Sequence, residues 1–324
     1  MPSIRIIAVF AALLASITPV PAQDWPIKPV PMVYSFAAGS AADVLGRVFA
    51  SRLSELLHQP IIVENVGGAG GMTGTNRVAK AAADGHQLLL GGNYVALNQT
   101  LHNNPLYNAR TDLVPVALIV EQPIVLIVRN DLRASNLPEF ITYAKANQAK
   151  MQYGSTGVGS IVHLGCALLN STIGVDTTHV PYRGGGLIVQ DLIAGRIDYA
   201  CPLAALAIPQ IESKTVKAIA IFSKDRLAVL PELASAHEQG LADFEAVPWY
   251  AFLLPRDTPS PIVQKLNTAV AATMETKAVQ DKLKAFGYTF VAPDRRSPEY
   301  LRTFLDTEIE KWKAVIKAAK VASQ

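Results

Sequence analysis

Val30 to Glu64 reads VPMVYSFAAGSAADVLGRVFASRLSELLHQPIIVE, and this stretch decides the fold. Val30 to Phe36 is a short apolar run of strand type. A turn of small residues follows. From Asp43 to Leu57 the apolar residues then recur at helical spacing, through Leu45, Val48 and Leu56 with Phe49 and Leu53 beside them. Pro60 to Glu64 is a second apolar strand. Continuous apolar strands separated by a helix belong to a parallel sheet covered on both faces, which is α/β architecture.

The alternation continues with a helix over Thr73 to Ala83 and a buried strand over Gln87 to Gly91. A second series begins near Pro123. Its strands are Ile124 to Val128, Met151 to Tyr153, Thr177 to Val180, Ile197 to Ala200 and Val216 to Ile221. Its helices include one starting at Asn136-Leu137-Pro138-Glu139, where a capping residue precedes a proline in the first turn, and others over Ser160 to Asn170 and Leu187 to Ala194. Glu245 to Leu254 leads back out. Beyond it the chain is helical except for Tyr288 to Val291, and the last helix starts at Ser297-Pro298 with Leu301, Phe304, Leu305, Ile309, Trp312 and Ile316 on one face. Those helices have no sheet of their own, so they are expected to cover the first one. The expected division is therefore a discontinuous first domain, 23–123 and 246–324, with a second domain, 124–245, inserted into it. Two crossings, near 120–125 and 244–250, make a hinge, and a hinge implies a cleft.

A chain of 324 residues that is 50% hydrophobic and 17% charged fits two cores better than one and excludes wholesale disorder. The net charge of +3 is spread along the chain, with no basic stripe of the kind that binds nucleic acid. At the N-terminus, Arg5 precedes the uncharged run Ile6 to Ile17, and Val20 and Ala22 are small residues before a cut at Gln23. That run is too short to span a bilayer and fits a secretory signal peptide over 1–22, which places the protein in a bacterial periplasm. Such a compartment permits a disulfide between the only two cysteines, Cys166 and Cys201. The reading preferred from sequence is nonetheless two small core thiols, one on a helix and one on a strand.

Open α/β sheets bind ligands beyond the carboxyl ends of their strands, at strand-to-helix turns. Three such turns stand out. Phe36 to Asp43 is either a ligand-approachable helix start or a tight turn capped by Ser40. Tyr153 to Ser160 (YGSTGVGS) offers main-chain N–H groups and the hydroxyls of Ser155, Thr156 and Ser160 as a donor-rich concavity. Pro181 to Gly186 (PYRGGG) carries Arg183, which either pairs with a carboxylate or grips its own domain. His163, one turn after the second loop, is either a structural histidine or a cleft residue. Enzyme signatures are missing: Gly68 to Gly74 does not fit GxGxxG, there is no P-loop or GxSxG, and no histidines fall at HxH or HxxxH spacing. This points to binding without turnover, with no metal and no cofactor.

These pieces resemble the receptors of tripartite tricarboxylate transporters, also called Bug or TctC-type extracytoplasmic solute receptors. FAAGSAAD followed by Arg47 is similar to the segment F-x-x-G-G-x-x-D-x-x-x-R of that family, and the similarity runs on through Val63-Glu64-Asn65, GGAGG with Gly74, Asp84-Gly85, YGSTGVGS with His163, HVPYRGGG and DLIAGRID ending at Asp198. It spans nearly all of 24–324. The resemblance implies a two-domain Venus-flytrap (type II-like) periplasmic binding protein, each domain a mostly parallel sheet flanked by helices. It implies a small carboxylate held by main-chain N–H groups, hydroxyls and waters. By position it points to Ala38, Gly39, Ser40 and Asp43; to Ser155, Thr156, Gly157, Gly159, Ser160 and His163; and to Gly184 and Gly185. Asn93 and Tyr94 would complete the pocket, with Asp198 organising it from the second domain. Ser40 stands where the family commonly has a second glycine. Ligands across such a family range over citrate-like acids, dicarboxylates, aromatic carboxylates such as terephthalate, and amino-acid relatives. The expected function is a monomeric receptor that hands its carboxylate to the membrane subunits of a tripartite tricarboxylate-type transporter. A sensory receptor for such an acid is the alternative, and a periplasmic enzyme using His163 with Ser160 or Asp198 a further one.

Overall fold

The computed structural model describes residues 25–318, and the expected signal peptide, 1–22, lies outside the described residues. The first series is β1 (Val30–Tyr34), α1 (Ala41–Leu57), β2 (Ile61–Asn65), a 3-10 turn over Ala69–Gly71, α2 (Met72–Ala79), β3 (Leu88–Gly92), α3 (Asn93–Leu101) and β4 (Leu113–Glu121). The second is β5 (Val125–Val128), α4 (Leu137–Asn147), β6 (Gln152–Ser155), α5 (Ile161–Ile173), β7 (Thr178–Pro181), α6 (Gly185–Ile193), β8 (Tyr199–Ala200), α7 (Ala204–Glu212) and β9 (Lys217–Ile221). The chain then returns through β10 (Trp249–Pro255), α8 (Ser260–Met274), α9 (Lys277–Lys284), β11 (Thr289–Phe290) and α10 (Pro298–Ala318).

Two sheets result. The first has the order β11-β4-β10-β3-β1-β2 and the second β7-β6-β8-β5-β9. In the first, β1 lies parallel to β2 and β3, while β10 runs antiparallel to β3 and β4. In the second, β6 lies parallel to β7 and β8, and β5 runs antiparallel to β8 and β9. Each sheet is therefore mostly of one direction, with the strand arriving from the other lobe set against it and, in the first sheet, the short β11 also antiparallel to β4. Leu88, Leu89 and Leu90 of β3 and Phe252, Leu253 and Leu254 of β10 are fully buried at the centre of the first core. At the crossing, Gln122 N donates to Pro248 O (2.8 Å) and Ile124 N to Ala246 O (3.4 Å), so the two connecting segments run side by side.

Three elements escape the periodicity reading. β4 contains Pro115, which sits where the β4–β10 register shifts, and a proline at such an irregularity costs no ladder bond. α3 is buried from Asn93 through Asn98, and a helix buried all round has no polar stripe to read. α7 carries Pro209 inside it. Capping at two sequence-predicted starts is as expected: Asn136 accepts from Glu139 N, and Ser297 from Tyr300 N.

The cysteines require a correction. Cys166 of α5 and Cys201, just beyond β8, are bonded to each other with Cα atoms 5.5 Å apart, not free thiols. Sequence gives each cysteine a buried position but not their adjacency, which comes from α5 packing across the end of β8. α10 also does more than cover the first sheet: Trp312, Val315 and Ile316 bury against Leu97 and Leu101 of α3 and Leu164 of α5, joining both lobes in one apolar cluster.

Candidate functional site

The first loop is held by its own polar groups. Ser40 caps α1, its Oγ accepting from Asp43 N at 3.1 Å. The Asp43 carboxylate accepts from Gly39 N (3.1 Å), from Arg47 Nε (3.0 Å) and Nη2 (3.1 Å), and from Asn65 Nδ2 (3.0 Å). Burial pushes the Asp43 carboxyl up, but the bonds from Arg47, Gly39 and Asn65 outweigh it and hold the group below the usual aspartate range. Asp43 is thus an ionised clamp, and the N–H groups of Gly39 and Asp43 are already engaged.

The second loop follows the same logic more tightly. The fully buried Ser155 Oγ accepts from Gly157 N (3.1 Å), lies 3.1 Å from Gly157 O and 2.6 Å from His179 Nε2. One hydroxyl proton serves one acceptor. All three contacts are satisfied when Oγ donates to Gly157 O and His179 carries its proton on Nε2. Ser160 Oγ donates to Gly157 O (2.7 Å) and accepts from His163 N (3.2 Å), capping α5. His163 Nδ1 accepts from Gly159 N at 3.1 Å, and its ring lies 4.1 Å from that of His179, with Tyr153 stacked beside both. Burial, with His179 alongside, lowers the His163 pKa to about 4, and burial lowers that of His179 as well. Both rings are neutral near pH 7.

The third loop and Asp198 stand apart. Tyr182 Oη donates to Asp191 (2.8 Å), while Arg183 is exposed and has no ion-pair partner among the described residues. Gly184 and Gly185 begin α6, and Gly185 packs close to Leu206. Asp198 accepts from Arg129 Nε (3.0 Å) and from Gln152 N (2.7 Å). Gln152 opens β6 and Ser155 closes it, so Asp198 secures the far end of the strand, about 10 Å from the second loop.

A cavity of about 480 Å³ opens between the lobes. From the second lobe Thr156, Gly159 and Ser160 line it, and from the first Asn93 and Tyr94. Ala38, Gly39, Ser40, Asp43, Ser155, Gly157, His163, Gly184, Gly185 and Asp198 do not line it. Sequence reasoning missed Phe36, Asn98, Leu101, His102 and Val158. The missing signal is helix α3, which lines the cavity with half its circumference (93, 94, 97, 98 and 101) and with His102 at its C-cap. Leu101 approaches Gly159 so closely that a Cβ there would stand 3.1 Å from it, and Gly159 also has φ +78°. The two lobes meet across that glycine.

The polar inventory of the cavity is small and specific. Asn93 is only 7% exposed, yet its side chain makes no hydrogen bond to any described residue. Its amide atoms are open to the cavity and are not among the buried polar atoms left without partners, so the group is available to a ligand. Thr156 is exposed, and its hydroxyl makes no hydrogen bond to any described residue. Tyr94 Oη donates to Leu90 O (2.8 Å), Asn98 Nδ2 to Gly70 O (3.0 Å), and burial pushes the Tyr94 phenol well up. Among the described residues no lysine or arginine lines the space. A second interlobe groove, of about 390 Å³, is lined by charges that pair with each other, Glu121 with Arg295 and Glu308 with Lys311. Arg226 of that groove pairs with Glu238, while Lys224, Asp225 and Glu245 make no ion pair among the described residues. The candidate site is the first cavity because the second glycine-rich turn, through Thr156, Gly159 and Ser160, forms its wall opposite α3. No group of three His, Cys, Asp or Glu side chains suited to a metal ion occurs among the described residues.

Residues 45–321 match the family described as "Tripartite tricarboxylate transporter family receptor". BugT of Bordetella pertussis is 33% identical over 316 residues, 97% of this chain and 96% of that protein. Among solved structures, MatC of Rhodopseudomonas palustris with bound malate superposes with a TM-score of 0.78 at 34% identity, covering 90% of this chain and all (100%) of that one. R. palustris Rpa4515 with adipate gives 0.80 at 30% identity, covering 92% and 99%.

Proposed function

From the premise that this chain belongs to the tripartite tricarboxylate transporter receptor family, we propose that it captures a small organic carboxylate between its lobes and delivers it, unchanged, to a transporter of that type. The observation that carries the reading is the interlobe cavity lined by Asn93 from one lobe and Thr156 from the other, neither side chain hydrogen-bonded to a described residue. Malate and adipate in the related structures support a carboxylate as the ligand class. Export by the segment 1–22 and action as a periplasmic monomer complete the proposal. Among the described residues no helix is long and apolar enough to cross a membrane.

Physically, a carboxylate leaving water must be met by donors. Here the Asn93 amide, the Thr156 hydroxyl and any main-chain N–H groups of the second loop other than those of Gly157, Gly159 and Ser160, which are already bonded, supply them, with no lysine or arginine among the described lining residues. Ser155, Ser160 and His163 serve by keeping that loop in shape. In this proposal 23–123 with 246–324 and 124–245 move as two bodies about the paired segments at Gln122 and Pro248. Contacts to both lobes exist only in the closed arrangement, so ligand favours closure. His163 is bonded to main chain, and Asp198 lies at the far end of β6, which favours binding over catalysis.

The test is calorimetric titration with aliphatic and aromatic carboxylates, followed by mass spectrometry of the recovered ligand. Asn93→Ala is expected to weaken the best ligand about tenfold or more with little change in unfolding midpoint. Equal affinity in wild type and Asn93→Ala, or chemical conversion of the ligand, would refute the reading.

A further inference from the structure

His179 lies outside the cavity lining, yet it holds the residue that shapes the second loop. The Ser155 carbonyl accepts from Tyr182 N (2.8 Å), which fixes that backbone in place. The Ser155 hydroxyl meets Gly157 twice, accepting from its N–H and donating to its carbonyl oxygen, each at 3.1 Å. The third contact of the hydroxyl is His179 Nε2, at 2.6 Å. An oxygen that gives its single proton to Gly157 O can take His179 only as a donor, so the imidazole decides where the hydroxyl proton points. The ring itself is well placed: His179 is the register partner of Tyr153 across β6 and β7, and its ring lies 5.0 Å from that of Tyr153 and 4.1 Å from that of His163.

The effect reaches the cavity through one peptide plane. Gly157 O also accepts from Ser160 Oγ (2.7 Å) and Ser160 N (3.2 Å), so three donors hold it toward the inside of the loop. In a trans peptide the next N–H points opposite to that carbonyl, so the Val158 N–H is turned away from the hydroxyls. It makes no hydrogen bond to a described residue, and Val158 lines the cavity. Gly157 has φ +115° and nothing within 4 Å of where a Cβ would stand, so packing does not hold this peptide and its hydrogen bonds must. We propose that His179 is a positioning residue of the carboxylate site: its Nε2–H orients the Ser155 hydroxyl, which holds the Gly157–Val158 peptide with the Val158 N–H presented to the ligand. This rests on the carboxylate-receptor reading above. A ring proton on Nδ1 instead would turn the Ser155 proton toward Nε2, deprive Gly157 O of one donor and loosen the peptide.

The experiment has a spectroscopic and a binding arm. In isotope-labelled protein above neutral pH, long-range proton–nitrogen NMR correlations are expected to place the His179 proton on Nε2. A proton on Nδ1 overturns the proposal whether or not any variant folds. The Gly157 and Val158 amide resonances should shift in His179→Leu and return toward wild type in His179→Gln, whose amide can still donate. In calorimetric titration with adipate and with malate, His179→Leu is expected to weaken the tighter acid about tenfold, and His179→Gln by about threefold or less. Combining His179→Leu with Ser155→Ala should weaken it no further than Ser155→Ala alone, because both remove the same contact. Losses that multiply in the double variant, or a loss in His179→Gln equal to that in His179→Leu, overturn the positioning role and leave the receptor reading intact. Failure of these and all other carboxylates to bind wild type overturns both.

Discussion

The hydroxyl of Ser155 lies 2.6 Å from Nε2 of His179, and this contact joins the end of β6 to β7 beneath the second loop. Together with the bonds to Gly157 it makes Ser155 the hub of the loop, not a donor pointed at the ligand. Ser155→Ala is therefore expected to cost about 1–3 kcal/mol of stability, because it leaves a buried N–H and an imidazole without partners. Ligand affinity should fall with it. Denaturant unfolding alongside calorimetry checks this, and an unchanged unfolding midpoint would contradict the hub role.

Acid should loosen the same region before it affects carboxylates. His163 is lowered to about 4 by burial, with His179 adding to the effect, whereas an unfolded histidine titrates near 6.5. Between those values the unfolded chain binds a proton that the folded one refuses, so stability is full above about pH 6.5 and declines as pH falls toward 4. The lowered His179 acts in the same direction. Asp43, lowered from the ordinary aspartate value, sustains stability until pH falls through its own folded pKa, and so loses its contribution in a more acidic window. Unfolding midpoints from pH 8 to pH 4 in wild type and His163→Gln should show the first decline flattened in the variant.

The disulfide links α5 to the end of β8, close to the crossing at Ile124, which packs against Gly165. A separation of 35 residues corresponds to about 3–4 kcal/mol in the chain-entropy model. The double variant Cys166→Ala with Cys201→Ala should lose an amount of this order in denaturant melts. Wild type in dithiothreitol should match it.

Gly71 bears directly on the cavity wall. Its φ of +91° is open to glycine, and a Cβ there would stand 2.7 Å from the Tyr94 ring and 3.2 Å from Phe36. Gly71→Ala is expected to destabilise by about 1–2 kcal/mol from backbone conformation alone. It should also displace Tyr94 and weaken ligand binding, read by calorimetry on the folded protein.

Trp312 reports on the contact between lobes. It is fully buried against α3 and α5, and its indole N–H, like that of Trp249, donates to Glu308 (2.8 and 2.9 Å). Trp312→Ala should cost about 3–5 kcal/mol. Trp312→Phe, which keeps most of the apolar volume, should recover the larger share.

The alternation of strands and helices, the three glycine-rich turns and the capping residues Ser40, Asn136 and Ser297 are legible in the sequence, because periodicity and capping act over a few residues. By itself the sequence determined α/β architecture, two sheets and the loops that stand at the strand ends. It did not determine which loop residues are free to act. Ser155, Ser160 and Asp43 look like ligand groups by type, and only the folded geometry shows their protons and lone pairs spent on the loops themselves. Nor did it show Cys166 meeting Cys201, or α3 lining the cavity opposite Thr156. Those pairs are far apart along the chain and belong to different elements. Their meeting depends on strand order and on how α3, α5 and α10 pack at the crossing, and that is decided by burying the two cores together rather than by any local pattern.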